Sequence, residues 1–262
     1  MIYSHAGIAT HFVPSVRVDD LVESLSHSDV APEALAEYIE QFAGEEQPFS
    51  LQTRLDDINQ YFSAPTLQKV ISQLENREDE WAKNTLKTIL TMSPTASLVT
   101  MKMLRLGREM SFRDCLRMEY ILAKNFLERV ADLREGVSAK LVRKEKSANW
   151  MPAKLEDVSE EFIDSLFKGL SIPSLDFSNT VDFDDYPHQD NALPSTRRIK
   201  TLVSQNRNLK SWQEVADQHC ILHHHKRGLR QRLYETMEKH VKTREQIEKT
   251  GLLAVNGLNW TD

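Results

Sequence analysis

The stretch SPTASLVTMKMLRLG, residues 93–107, followed after three residues by SFRDCLRMEYILAKNFLERV, residues 111–130, decides the fold class. Ser93 can lend its hydroxyl to the free amides of a starting helix, and Pro94 suits the first helical position, where no N–H is needed. Gly107 supplies a stop. In the second segment Phe112, Cys115, Leu116, Met118, Leu122, Phe126 and Leu127 recur at helical spacing, so an apolar packing helix is expected with these side chains mostly inward.

The same period continues outward in both directions. Upstream, residues 17–43 give two short helices, one with Val18, Leu21, Val22 and Leu25 on a face, the other opened by Pro32 and carrying Leu35, Tyr38, Ile39 and Phe42. Leu55, Ile58, Tyr61 and Phe62 form a further stripe. Ser63 with Pro65 restarts the chain for Leu67, Val70, Ile71 and Leu74, and Trp81, Leu86, Ile89 and Leu90 mark a helix over 78–92. Residues 1–13, MIYSHAGIATHFV, read as a strand or a helix end. Downstream, residues 136–142 read as a short extended or helical turn, and Ser159 caps a helix at about 159–168. Residues 171–194, with Pro173, Pro187 and Pro194 and no sustained period, read as a linker or extended arm. Helices follow near 195–205, 211–219 and 223–249.

Composition narrows the function classes. Eight glycines in 262 residues leave few sites for glycine-rich phosphate or oxyanion loops. The longest apolar runs, such as Gly251 to Val255, fall well short of the roughly 20 residues that span a bilayer. Cys115 and Cys220 share no ligand spacing, so neither a disulfide nor a zinc framework is indicated and a reducing compartment is the default. Net charge is −6, yet residues 195–249 hold 13 Lys/Arg against 6 Asp/Glu. That asymmetry fits a polyanionic partner such as RNA, or simply a solvated amphipathic helix.

No constellation amounts to an active site. His219 and His223 stand four apart and could share a helix face as metal ligands, with His224, His225 and Cys220 beside them. HExxH is absent and no second ligand pair is near, so the run reads as a basic surface leading to Lys226, Arg227, Arg230 and Arg232, and no metal is assigned. Asp56-Asp57, Glu160-Glu161 and Asp184-Asp185 are adjacent pairs that diverge around a helix axis and read as solvated. Cys115 falls in an apolar stripe, the setting of a buried thiol. GxSxG, GxGxxG and GxxxxGK[ST] do not occur. Trp212 and Tyr234 are too few among the basic residues to form a base-stacking platform, and Trp212 with Leu209 and Val215 reads as packing.

Five segments in order, AGIATHFVPS (6–15), SPTASLVTMKMLRLG (93–107), CLRMEYILAKNF (115–126), DLREGVSAKLVRK (132–144) and NWMPAKLEDVSEE (149–161), resemble the C-terminal part of the 3-hydroxyisobutyryl-CoA hydrolases. These are thioesterases of the crotonase (enoyl-CoA hydratase/isomerase) superfamily. The resemblance covers residues 1 to about 170. A YPH segment at 186–188 and LPS at 193–195 are similar to the extended C-terminal region of fungal members.

The resemblance implies a mainly α chain, the helical C-terminal portion of a crotonase-like α/β fold without its N-terminal β/α spiral. It divides the sequence into a hydrolase part (1–170), an arm (171–194) and a basic helical extension (195–262). It implies a mitochondrial enzyme of valine catabolism with an acyl-CoA thioester as substrate and no further cofactor, although no presequence is visible in this chain. Family oxyanion-hole loops and catalytic carboxylates would precede the AGIATHFV segment, hence Met1. No catalytic residue is therefore carried over, CoA-contacting residues stay unassigned, and the chain alone is expected to be inactive. Relatives assemble through their C-terminal helices, which implies contact between copies. The alternative implied by the resemblance is a non-catalytic component of the mitochondrial ribosome small subunit, touching RNA through residues 195–249.

Overall fold

A computed structural model describes residues 2–45, 49–169, 175, 177–205, 211–223, 226–242 and 259–260. The chain gathers into two compact units, one of residues Met1–Thr53 with Tyr186–Asp262, the other of Arg54–Asp185.

In the first unit α1 (Ile2–His5) is a single turn closed by Gly7, whose φ of 74° lets the amides of Gly7 and Ile8 return to the carbonyls of Ser4 and Tyr3. The opening residues are thus a helix end. Helices α2 (Val18–Ser26) and α3 (Leu35–Glu40) form as expected, with Pro32 opening a 3-10 turn into α3. Their apolar stripe is not a core face, since Val22 is 60% exposed and neither helix buries a residue. The two helices are tied instead by a Ser24–Tyr38 hydroxyl contact and by Arg17, which lies over the Phe42 ring.

The second unit runs α4 (Leu55–Phe62), α5 (Leu67–Glu75), α6 (Glu80–Thr91), α7 (Pro94–Gly107), α8 (Phe112–Arg129), α9 (Ala131–Val137) and α10 (Glu160–Leu166). The cap of α5 is Thr66, whose Oγ1 accepts from Lys69 N at 3.2 Å, whereas Ser63 closes α4 by donating to Gln60 O. Ser93 caps α7 as its sequence requires, with Oγ accepting from Ala96 N at 3.0 Å. One apolar cluster centres on Tyr61, Leu67, Val70 and Leu74, another on Val99, Met118, Leu122, Ile163 and Leu166, and α7 packs beside both through Leu98.

Two members of the expected α8 stripe are corrected. Leu127 is 69% exposed, and Phe112 is exposed with its ring stacked on Phe183. Asn125 is buried in their stead, donating to the Leu166 and Lys168 carbonyls at the end of α10. Residues 136–142 are helical, with α9 continuing into a π turn at Ser138–Val142. Of the arm, residues 177–183 lie along the start of α8, where Asp182 accepts from Ser111 Oγ at 2.7 Å and from Arg113 N at 3.0 Å.

The C-terminal part of the first unit holds α11 (Thr196–Gln205), α12 (Trp212–Leu222) and α13 (Leu229–His240). The helix expected over 223–249 is shorter, because Gly228 in the left-handed region breaks it and Val241–Lys242 (β1) is extended, pairing antiparallel with Asn259–Trp260 (β2). Residues 243–249 and the apolar run 251–255 lie outside the described residues. Far from being merely a solvated face, this region has its own core of Ile199, Val203, Val215, Ala216, Leu229, Leu233 and Met237, with Trp212, Tyr234 and Trp260 against it. Among the described residues, β structure is limited to this one pair of strands, and no helix is long and apolar enough to cross a membrane.

Candidate functional site

The segments that carry the family resemblance meet at one buried polar node in the second unit. Asp132, in the first turn of α9, is only 3% exposed and accepts from Ser93 Oγ at 2.6 Å and from Met151 N at 2.8 Å. Beside it Trp150 Nε1 donates to Thr91 O at 2.9 Å, and the ring lies so close to Gly136 that an added Cβ would stand 3.2 Å from it. Glu135, one turn on, accepts from Asn149 N at 2.9 Å and from Arg143 at 2.7 Å. These hydrogen bonds hold its carboxyl below the usual range, the Asn149 amide contributing most.

The node is a junction by its chemistry. The Ser93 hydroxyl donates a hydrogen bond to Asp132 and accepts one from Ala96 N–H, so it is spent on the start of α7. Both oxygens of Asp132 are occupied, and both side chains are buried. Beside the node lies an open concavity of about 860 Å³ lined by Leu127, Val130, Leu133, Glu135, Val137 and Ser138. The exposed Leu141 and Val142 extend the apolar side chains beyond it along the chain.

The sites singled out from sequence do not come together. His219 and His223 do share a face, ring centroids 4.8 Å apart, but His219 is 9% exposed and its pKa is pushed down to about 4, chiefly by burial, with His223 and Arg198 adding to it. It is a neutral imidazole in a core. His224 and His225 lie outside the described residues, and among those described no group of three or more His, Cys, Asp and Glu could hold a metal ion. Cys115 is half-buried with Sγ donating to Gly107 O, and Cys220 is buried, which raises its pKa. Asp57 is held by Arg54 and Arg77 rather than by a substrate-facing partner. Trp212 packs in the C-terminal core as its spacing suggested, while Leu209 is outside the described residues.

Asp132, Glu135 and Asp182 carry much of the second unit's polar organisation; the DLREGVSAKLVRK segment contains the first two, but nothing in the sequence singled out these carboxylates. Their partners at Ser93, Met151, Asn149 and Ser111 lie 14 to 71 residues away in the chain, beside nearer ones such as Arg143.

Residues 3–167 match the sequence model of the enoyl-CoA hydratase/isomerase family. The chain belongs to this family. Among curated relatives it is 37% identical over 171 residues to the Xenopus tropicalis protein named 3-hydroxyisobutyryl-CoA hydrolase, mitochondrial, covering 63% of this chain and 44% of that one. It is 36% identical over 178 residues to the Homo sapiens protein of the same name, covering 66% and 46%. Among solved structures it is similar to a carnitinyl-CoA dehydratase from Mycobacterium thermoresistibile (TM-score 0.56, 26% identity, 65% of this chain and 47% of that chain). It is also similar to an enoyl-CoA hydratase from Rhodobacter sphaeroides (TM-score 0.56, 28% identity, 67% and 49%). The chain spans about half the length of the relatives it matches. The whole Ser93–Asp132–Met151 node lies inside the family match, and residues 186–262 lie beyond it.

Proposed function

We propose that the chain forms the helical part of a mitochondrial 3-hydroxyisobutyryl-CoA hydrolase, which releases 3-hydroxyisobutyrate and CoA from their thioester in valine catabolism. The observation that carries the reading is the alignment with curated hydrolases of that name over some 170 residues, beside a family match over residues 3–167 that includes every residue of the buried node. In this reading residues to about 170 belong to the hydrolase, 171–194 form the arm and 195–262 the extension. Thioester hydrolysis needs preorganised donors for the carbonyl oxygen and a carboxylate to manage the water proton. In this reading these groups come from outside this chain, which contributes the helices flanking the acyl-CoA.

A ribosomal role has less support. Within the basic segment Arg198 pairs with Asp190, Arg230 with Asp217, and Arg232 is buried against the Pro194 carbonyl and Thr196. Three of the thirteen basic residues of 195–249 are thus engaged within the fold.

The test is CoA release from 3-hydroxyisobutyryl-CoA. The chain alone should be inactive, and a chimera joining it to the part of the Xenopus tropicalis hydrolase outside the alignment should be active. A folded chimera that releases no CoA would refute the reading.

A further inference from the structure

Residues 186–242 lie outside the family match, yet they pack on residues 2–45, most of which lie inside it. The link converges on one carboxylate. Glu40, at the end of α3, accepts from Arg227 N at 2.9 Å and lies 3.7 Å from Lys226 Nζ and 3.4 Å from His11 Nε2. Arg227 also donates to the Ala43 carbonyl, so the turn before α13 grips both the side chain and the backbone at the end of α3. Within the grip the His11 side chain is 7% exposed and that of Lys226 9%, while that of Arg227 is open to solvent. A cavity of about 280 Å³ opens beside it.

We infer that Glu40, His11, Lys226 and Arg227 form a releasable clasp by which the extension holds the N-terminal segment, and that protonation of His11 opens it. The inference goes beyond the proposed hydrolase and does not depend on it. Among the described residues, the groups facing His11 are Glu33, Glu37 and Glu40 from α3 and the turn before it, Asp190 and Asn191 from the turn before α11, His223 from the end of α12, Lys226 from the turn before α13, and Thr10 beside it. Burial and the Lys226 ammonium hold the imidazole neutral below its ordinary value, and Glu40 opposes them only in part. The released segment, with His11 in water, therefore binds the proton more readily. The clasp is intact above about pH 6.5 and weakens as pH falls, by up to about tenfold for each pH unit crossed between the two states.

The experiment is hydrogen exchange on the full chain between pH 7.5 and 5, corrected for the intrinsic pH dependence of exchange, with NMR titration of the His11 ring in parallel. Protection over residues 35–43 should fall on acidification while α7 and α8 stay protected. His11→Gln should flatten that dependence, and His219→Gln, which removes another buried imidazole of the unit, should leave it in place. The clasp is refuted if His11 titrates at or above 6.5 in the folded chain, or if residues 35–43 lose protection equally in His11→Gln. Should His11→Gln not fold, the ring titration together with wild-type exchange decides the matter alone. A fall in protection at 35–43 that tracks His11 protonation supports it.

Discussion

Replacing Asp132 by alanine strands two buried donors, the Ser93 hydroxyl and the Met151 amide, at a site 3% exposed. Each stranded donor costs about 1–3 kcal/mol, while the buried carboxylate's own desolvation is no longer incurred, so a net loss of about 2–4 kcal/mol is expected. Ser93→Ala removes the α7 cap and one of the two bonds, for a loss of about 1–2 kcal/mol. Because both changes delete the same 2.6 Å bond, the double variant should be less destabilised than their sum, by about 1.5 kcal/mol. Urea-dependent hydrogen exchange of amides in α7 and α9 reads the second unit specifically and gives all four corners of the cycle. A coupling below about 0.5 kcal/mol, the scatter of independent sites, would refute the claim that this pair ties the SPTAS, DLREGV and NWMPA segments together.

In the C-terminal core, Leu233→Ala should cost about 2–5 kcal/mol in chemical denaturation because Leu233 is fully buried, whereas Leu127→Ala should stay within about 0.5 kcal/mol. His219 is neutral in the fold with its pKa near 4, so the core it sits in should lose stability as pH falls from about 6.5 towards 4; His219→Gln should flatten that slope in urea midpoints read by Trp212 fluorescence. Asp182 is held below the usual carboxylate range, first by the Ser111 hydroxyl and then by the Arg113 amide. Asp182→Asn should accordingly raise proteolytic cleavage within 177–183 at neutral pH without changing the melting of the second unit.

What the sequence made legible was local. A serine followed by proline before an apolar run defines its own helix start, and Ser93 caps α7 with no help from distant residues. The length of α8 was equally plain, since Ser111 and the 18 residues after it satisfy the cap and the period together. Burial was harder, because period alone does not say what stands opposite. Phe112 belongs to the stripe by spacing but meets Phe183 of the arm, and Val18 and Val22 form a good face that nothing among the described residues covers. Gly228 could have been read: a lone glycine inside a basic helical run is a candidate break, and its φ of 75° makes it one. Glu40 could not. A glutamate ending a short helix has the same local pattern whether or not a turn 187 residues away donates to it.

The same distinction separates recognition from chemistry in this chain. Asp132 follows Val130-Ala131 like any acid in a first helical turn, yet it joins three segments whose order is the family's most specific mark here. A buried Ser–Asp pair invites a catalytic reading, since a carboxylate 2.6 Å from a hydroxyl is the geometry of an activated nucleophile. Burial decides against it: a nucleophile must meet its substrate, and this hydroxyl is already engaged with a carboxylate on one side and an amide on the other. The node therefore acts through what it holds in place, the exposed Leu133, Val137, Leu141 and Val142 of α9 and its π turn.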